Sequence, residues 1–173
     1  VIPFSSKEEE VFNNPFIYQI NTPQSYLYSE VYEHFTRQFP DANVIILEAA
    51  NTDKDKIEFI KGLKQELKNK GIPVKTLQET ATAEMLKNAL RNDKENIFIP
   101  TSDSDVTLIK IIPQLTLVKR ENPEIPFHLF GYPKWQTYTK NHLDSFFELD
   151  TYLFLILYEQ SASGSYQLYQ SIP

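Results

Sequence analysis

Short apolar runs alternate with longer amphipathic stretches along most of this 173-residue chain. The short runs have strand length and are rich in β-branched or aromatic residues; they cover residues 16–20, 44–47, 74–77, 97–99, 127–130 and 152–157. Strands that alternate with helices are typical of a mostly parallel sheet with both faces covered. The sequence therefore predicts an α/β fold, a three-layer sandwich of the flavodoxin-like or Rossmann-like kind.

The stretches between the apolar runs have helical spacing. The clearest is 53–70, in which Ile57 and Ile60 belong to one apolar stripe. We expect Thr52 to cap its N-terminus and Gly71 to end it. Further helices are predicted over 23–39, 83–91, 105–120, where Pro113 should introduce a kink, and 135–149.

Composition argues against several classes of partner. The net charge is −6, and the basic residues are mixed with acidic ones, so the chain lacks the positive face of a nucleic-acid binder. No apolar run reaches the roughly 18 residues that cross a bilayer, so we expect no membrane span in this chain. The absence of cysteine excludes disulfides and thiolate chemistry. Four scattered glycines cannot form a phosphate-binding glycine-rich loop.

Patterns typical of catalytic or metal centres are also missing from the sequence. His34, His128 and His142 stand far apart and have no metal-binding spacing. His128 lies within a predicted strand, where a hydrogen-bonded structural role is favoured. Ser102 and Ser104 lie between a predicted strand and a predicted helix, and capping of the helix is their favoured role. We therefore expect no enzymatic activity, no cofactor and no metal.

Location is the remaining guide to function. In an open parallel sheet, ligands collect beyond the carboxyl ends of the strands. Four segments are predicted to lie there: 21–24, 50–53, 100–103 and 131–135. The last holds Tyr132 and Trp135, and two interpretations of this aromatic pair carry equal weight: it covers a small ligand, or it closes the end of the core.

The segments also follow one another in a familiar order. FIYQINTP at 16–23 opens the series and precedes a long helix. NVIIL, IEFIKGLKQEL, GIPV, NIFIPT and IPFHLFG then follow, at 43–47, 57–67, 71–74, 96–101 and 125–131. In this order, over residues 16–157, the chain resembles the second lobe of type I periplasmic binding proteins, the Leu/Ile/Val-binding class of amino-acid ABC-transporter substrate-binding proteins.

The resemblance implies one lobe of a two-lobe protein that closes on a small, polar, amino-acid-like solute without chemistry. By equivalence of loops it implies the ligand-wall residues Asn51, Thr52, Thr101, Ser102, Tyr132 and Trp135. It also implies a place in the periplasm or cell envelope, where similar proteins carry LysM modules. Residues 1–15 would be a linker from the missing first lobe, 16–157 the lobe itself, and 158–173 an irregular tail.

Two alternatives remain open. The loop NTDKD at 51–55 lacks the aromatic-glycine pair common in that family, which favours a ligand-free envelope scaffold or protein-interaction domain. A lesser alternative is a receiver-like or small-molecule enzyme that uses Asp53, Asp103 and Lys134. In a lone lobe, exposed Tyr132 and Trp135 would form an apolar patch, so we also expect a homo-oligomer, formed through that end or through the terminal strands.

Overall fold

The computed structural model of the protein describes residues 24–155 and 167–170. The predicted linker over 1–15 and the predicted strand over 16–20 lie outside this part. Its helices are α1 Gln24–Gln38, α2 Lys54–Asn69, α3 Ala83–Ala89, α4 Asp105–Glu121 and α5 Thr139–Glu148, and a 3-10 helix covers Pro133–Tyr138. Its strands are β1 Asn43–Glu48, β2 Val74–Gln78, β3 Asn96–Pro100, β4 Phe127–Gly131, β5 Tyr152–Leu155 and β6 Gln167–Gln170.

The strands form one sheet in the order β2-β1-β3-β4-β5-β6. The first five are parallel, and β6 runs antiparallel to β5. The order 2-1-3-4-5 is that of flavodoxin-like folds, so the predicted fold class is confirmed. The irregular tail predicted over 158–173 is wrong at residues 167–170, which pair with β5 as a strand; the rest of that range lies outside the described residues.

Helices cover both faces of the parallel sheet. The alternation of side chains along β4 separates the two layers: Phe130 contacts Phe35 of α1, whereas the ring of Phe127 lies 4.6 Å from Lys119 Nζ of α4. α1 packs beside α2, and α3 packs beside α4, which in turn contacts α5. The sheet is thus the middle layer of three.

The ends of two helices test the predicted caps. Asp53, not Thr52, takes the N-cap position of α2, and it makes no side-chain capping bond. The prediction for Thr52 is wrong because its hydroxyl is engaged by the neighbouring strand's loop instead. The prediction for Ser104 is confirmed, since its hydroxyl accepts a hydrogen bond of 3.2 Å from the Thr107 amide at the start of α4.

Two predicted helices differ in detail from their expected form. α4 continues through Pro113, which lies on its exposed side. The backbone bond that proline removes is therefore lost where water can replace it. The helix predicted over 135–149 is divided into the 3-10 helix and α5.

α1 supplies aromatic side chains that close one face of the sheet. Phe35 is fully buried, and its ring centroid lies 5.2 Å from that of Phe39 and 5.1 Å from that of Phe130. The edge-to-face geometry with Phe130 is one that aromatic pairs prefer. α1 therefore belongs to the core of this fold.

We expect Phe35→Ala to lower the free energy of unfolding by about 3–5 kcal/mol, because it leaves a cavity in a closely packed core. Phe147→Ala on α5 is the matched control, since Phe147 is 39% exposed and its loss should cost far less. Urea unfolding of both variants measures the difference. Equal losses would show that α1 does not contribute to the core as described.

Candidate functional site

Thr101 connects the loops that follow the two central strands. Its hydroxyl oxygen accepts a hydrogen bond of 2.9 Å from the Ala49 amide and lies 2.9 Å from the hydroxyl of Thr52. Its own amide donates to the carbonyl of Leu47 over 2.9 Å. The strand order reverses between β1 and β3, which is where open α/β sheets bind ligands. These bonds fix the two loops against each other at that position.

Glu79, the residue after β2, braces the loop after β1 from the other side. Its buried carboxylate accepts hydrogen bonds from Lys110 Nζ over 2.5 Å, from the Thr107 hydroxyl over 3.0 Å and from the Ala50 amide over 3.3 Å. Burial by itself would raise the pKa of Glu79. The bonds from Lys110, Ala50 and Thr107 outweigh burial and hold that pKa below its ordinary value. The carboxylate is therefore charged at neutral pH and joins β1, β2 and α4.

Asp103 forms a second charged cluster beyond β3. One of its carboxylate oxygens lies 3.2 Å from Lys56 Nζ and the other 3.6 Å from Lys134 Nζ. Lys56 also lies 5.5 Å from the ring centroid of Tyr132. The structure thus brings together Asp103 and Lys134 of the enzyme alternative, whereas Asp53 stands exposed at the start of α2. The two ammonium groups thus balance the negative charge of the Asp103 carboxylate.

A groove of about 810 Å³ opens beside these loops and extends along α2. We call it the α2 groove. At its upper end, by the carboxyl ends of the strands, lie Ala49, Ala50, Thr52 and Thr101. Its length is lined on one side by the α2 residues Ile57, Ile60, Lys61, Lys64, Gln65 and Lys68, and on the sheet side by Glu48 and Gln78. A neighbouring hollow of about 460 Å³, which shares Lys64 and Lys68, continues it toward Gly71.

The predicted ligand residues fall into different surroundings. Thr52 and Thr101 line the α2 groove. Asn51 is exposed on the same loop, at a position that does not line the groove. Ser102 is buried, and its hydroxyl accepts a bond of 3.2 Å from the amide of Ser104. The predicted set is therefore brought together only in part, at the threonines.

Tyr132 and Trp135 are buried, so the expected exposed aromatic patch is wrong. Tyr132 immediately precedes the 3-10 helix and Trp135 lies within it, and both rings turn inward: Trp135 stacks on Phe146 at 5.6 Å, and the Tyr132 hydroxyl donates to the Pro100 carbonyl over 2.6 Å. Gly131 makes room for this, because a Cβ there would lie 2.0 Å from the Trp135 ring. Of the two interpretations of the pair, closure of the core agrees with this packing. Self-association through these rings loses its basis.

Two histidines hold elements together. The His128 ring nitrogens lie 3.2 Å from the Asp150 carbonyl and 2.9 Å from a Glu95 carboxylate oxygen, so the prediction of a hydrogen-bonded histidine is confirmed. His142 Nε2 lies 2.6 Å from the carboxylate of Asp105, which joins α5 to α4. Both rings thus have structural partners.

Sequence reasoning missed the two features that give the site its character. Glu79 stands one residue after a strand, where an acidic residue carries no signal of its own. Lys61, Lys64 and Lys68 follow the ordinary spacing of an exposed helix face. The row of lysines could be predicted from the sequence. The groove beside the lysines could not, because it depends on β2 lying at the sheet edge.

Comparison of the chain with protein-family models, with curated proteins and with solved structures finds no significant match. Within the described part, no helix has the length and apolar character needed to cross a membrane. The fold class is defined by the topology of the sheet.

We expect Glu79→Gln to destabilise the protein at pH 7, because the charged acceptor of Lys110 is lost. The pKa of Glu79 is lower in the folded protein than in the unfolded chain, so its contribution is present above the ordinary value and disappears as pH falls through the folded value. The difference from wild type should therefore shrink at acidic pH. Urea unfolding at pH 7 and at pH 3.5 measures it.

Glu124→Gln is the control for this experiment, because Glu124 is exposed. It should change stability little at either pH. A Glu79→Gln difference that is as large at pH 3.5 as at pH 7 would contradict the assigned role of the charge.

Proposed function

We propose that this chain is a non-catalytic module that binds a small polar solute in the α2 groove. The observation that carries the proposal is the position of this groove, whose upper end lies at the carboxyl ends of β1 and β3. Ligands bind there in open α/β sheets. Its volume of about 810 Å³ falls within the range of small-molecule sites, roughly 300–1,000 Å³.

The chemistry of the groove favours binding over catalysis. The hydroxyls that line it belong to Thr52 and Thr101, which lie 2.9 Å from each other. The one carboxylate among the lining residues is Glu48, which accepts a bond of 3.2 Å from Gln78 Nε2. A nucleophile paired with a general base is not found among these residues.

A lobe of a larger binding protein is the form of this proposal that agrees with the resemblance described above. A first lobe would then close over the strand ends and cover an amino-acid-like solute by hinge motion. The protein would act in the periplasm or cell envelope. The supporting points are the flavodoxin-like order of the strands and the rigid pair of loops that Thr101 connects.

A solute screen on the full chain tests the proposal. Because a ligand that binds only the folded state raises the melting temperature, at least one compound in a broad panel of amino acids and other small polar solutes should do so. Ala50→Trp should abolish that shift, since Ala50 is exposed and lines the groove, so that a large ring placed there fills it.

Asn141→Trp is the matched control, because Asn141 is exposed on α5 and does not line the groove. It should leave the solute-dependent shift unchanged. A panel that produces no shift in the wild-type chain, or a shift that survives Ala50→Trp, would contradict solute binding in the α2 groove.

The protein-interaction alternative is favoured by a separate observation. Val106, Ile109 and Leu117 form an exposed apolar stripe along α4, with exposed fractions of 62%, 58% and 45%. Leu143 and Phe147 are exposed on α5, the helix joined to α4 by the Arg120–Glu148 ion pair. Exposed apolar side chains gathered on one face mark interaction sites when they form a continuous patch.

If this face is an interaction surface between copies of the chain, sedimentation velocity will show concentration-dependent association. Ile109→Glu should then reduce the species to a monomer. Ile57→Glu is the matched control, because Ile57 is similarly exposed, at 54%, but lies on α2. A wild-type chain that sediments as a monomer at every concentration would remove this basis for the alternative.

A further inference from the structure

Several charged residues of α2 lie on different sides of the helix according to their sign. Lys61, Lys64 and Lys68 face the α2 groove. Asp55 and Glu58 lie toward α1, near enough that, after burial, their charges help raise the pKa of Tyr28. A helix gains stability when opposite charges alternate at a spacing of three or four residues. On the groove side no acidic residue of α2 stands beside the lysines, so α2 lacks that stabilisation there.

The lysines of the groove are left with little to neutralise them. The nearest carboxylate is that of Glu48, 3.8 Å from Lys64 Nζ, and Glu48 already accepts a bond from Gln78. Within the described part of the chain, Lys61 and Lys68 have no ion-pair partner. Three ammonium groups and one carboxylate leave the groove with a surplus of two positive charges. This stands against a net charge of −6 for the whole chain.

The groove changes character along its length. Near its upper end, Ala49, Ala50 and Ile57 add apolar surface beside the hydroxyls of Thr52 and Thr101, and Ile57 is 54% exposed. Lys61 is one helical turn further on, and Lys68 lies seven residues beyond Lys61, about 10 Å along the helix axis. An extended molecule in the groove would thus meet an apolar surface at one end and ammonium groups along the rest.

We propose that the solute of the α2 groove is an organic anion with an apolar body and at least two negative charges. Its apolar part contacts Ala50 and Ile57, and its charges meet Lys61, Lys64 and Lys68. This inference rests on the proposed function and adds the chemical class of the ligand. Dicarboxylates and phosphate monoesters share this chemistry, and the experiment separates them.

Isothermal titration calorimetry on the full chain compares four probes of similar length. n-Hexylmalonate, which carries both carboxylates at one end of its alkyl chain, and n-hexyl phosphate are the anions, 1,6-hexanediol is the neutral analogue, and 1,6-diaminohexane is the cation. We expect at least one anion to bind ten times or more tightly than the diol and the diamine, and its affinity to fall as sodium chloride is added. The tighter of the two anions shows whether the groove prefers a pair of carboxylates or a phosphate group.

Charge reversal tests whether the lysines are responsible. The double variant Lys61→Glu/Lys68→Glu should weaken the anion at least tenfold. Lys54→Glu/Lys70→Glu makes the same change of charge at the two ends of the same helix, at exposed residues that do not line the groove. It should weaken binding by less than threefold. All four positions are exposed, so both variants should keep the wild-type melting temperature within a few degrees.

The outcomes separate the two proposals. If a neutral or cationic solute binds in a manner that Ala50→Trp abolishes, and Lys61→Glu/Lys68→Glu leaves it unchanged, the anionic ligand is wrong and solute binding stands. If the two double variants weaken the anion equally, the effect is one of overall charge, and the inference is overturned. If no solute of any charge binds, both proposals fail.

Discussion

The candidate site depends on the hydrogen bonds that the Thr101 hydroxyl makes to the loop after β1. β1 lies between β2 and β3, so its carboxyl end is the point at which the chain departs in opposite directions. The backbone bond from the Thr101 amide to the Leu47 carbonyl extends the pairing of β1 and β3 to this point. The Thr101 hydroxyl, which accepts from the Ala49 amide and bonds the Thr52 hydroxyl, then gives the upper end of the α2 groove a defined wall.

Glu79 extends this bracing to the edge strand. β2 pairs on one side with β1, and no described strand pairs with its other side. Its end is nevertheless fixed, because the Glu79 carboxylate joins the Ala50 amide of the β1 loop to Thr107 and Lys110 of α4. A charge buried with a close ammonium partner and further hydrogen bonds is tolerated where an isolated one is not. Glu79 therefore holds Ala50, which lines the groove, although β2 lies at the edge of the sheet.

The fold was predictable because its signal is local. The strands over 44–47, 74–77, 97–99 and 127–130 are apolar runs between turn residues, and each appears within one residue of its predicted bounds. The site was only half predictable. Thr52 and Thr101 were identified by their place after strands, but the capping role of Thr52 fails because a partner 49 residues away takes its hydroxyl.

Tyr132 and Trp135 show the limit more sharply. Their loop contains glycine and proline, a composition typical of the protein surface. In the structure Tyr132 precedes the 3-10 helix, Trp135 lies within it, and both rings are buried in the core. The burial depends on Phe146, which stacks on Trp135, and on Gly131, which leaves room for the ring. Only the tertiary fold brings these residues together. Likewise, the lysines of α2 line a groove only because β2 forms the edge of the sheet, which their sequence spacing does not show.

Amide chemical-shift mapping by NMR on the full chain, titrated in turn with n-hexylmalonate, n-hexyl phosphate and the panel compound that raises the melting temperature most, tests the central claim most directly. Binding in the α2 groove predicts saturable shifts of the Ala49, Ala50, Thr52 and Ile57 amides, with those along α4 unchanged. No shifts at these positions at millimolar solute, or shifts confined to α4 and α5, would contradict the assignment of the groove as the binding site.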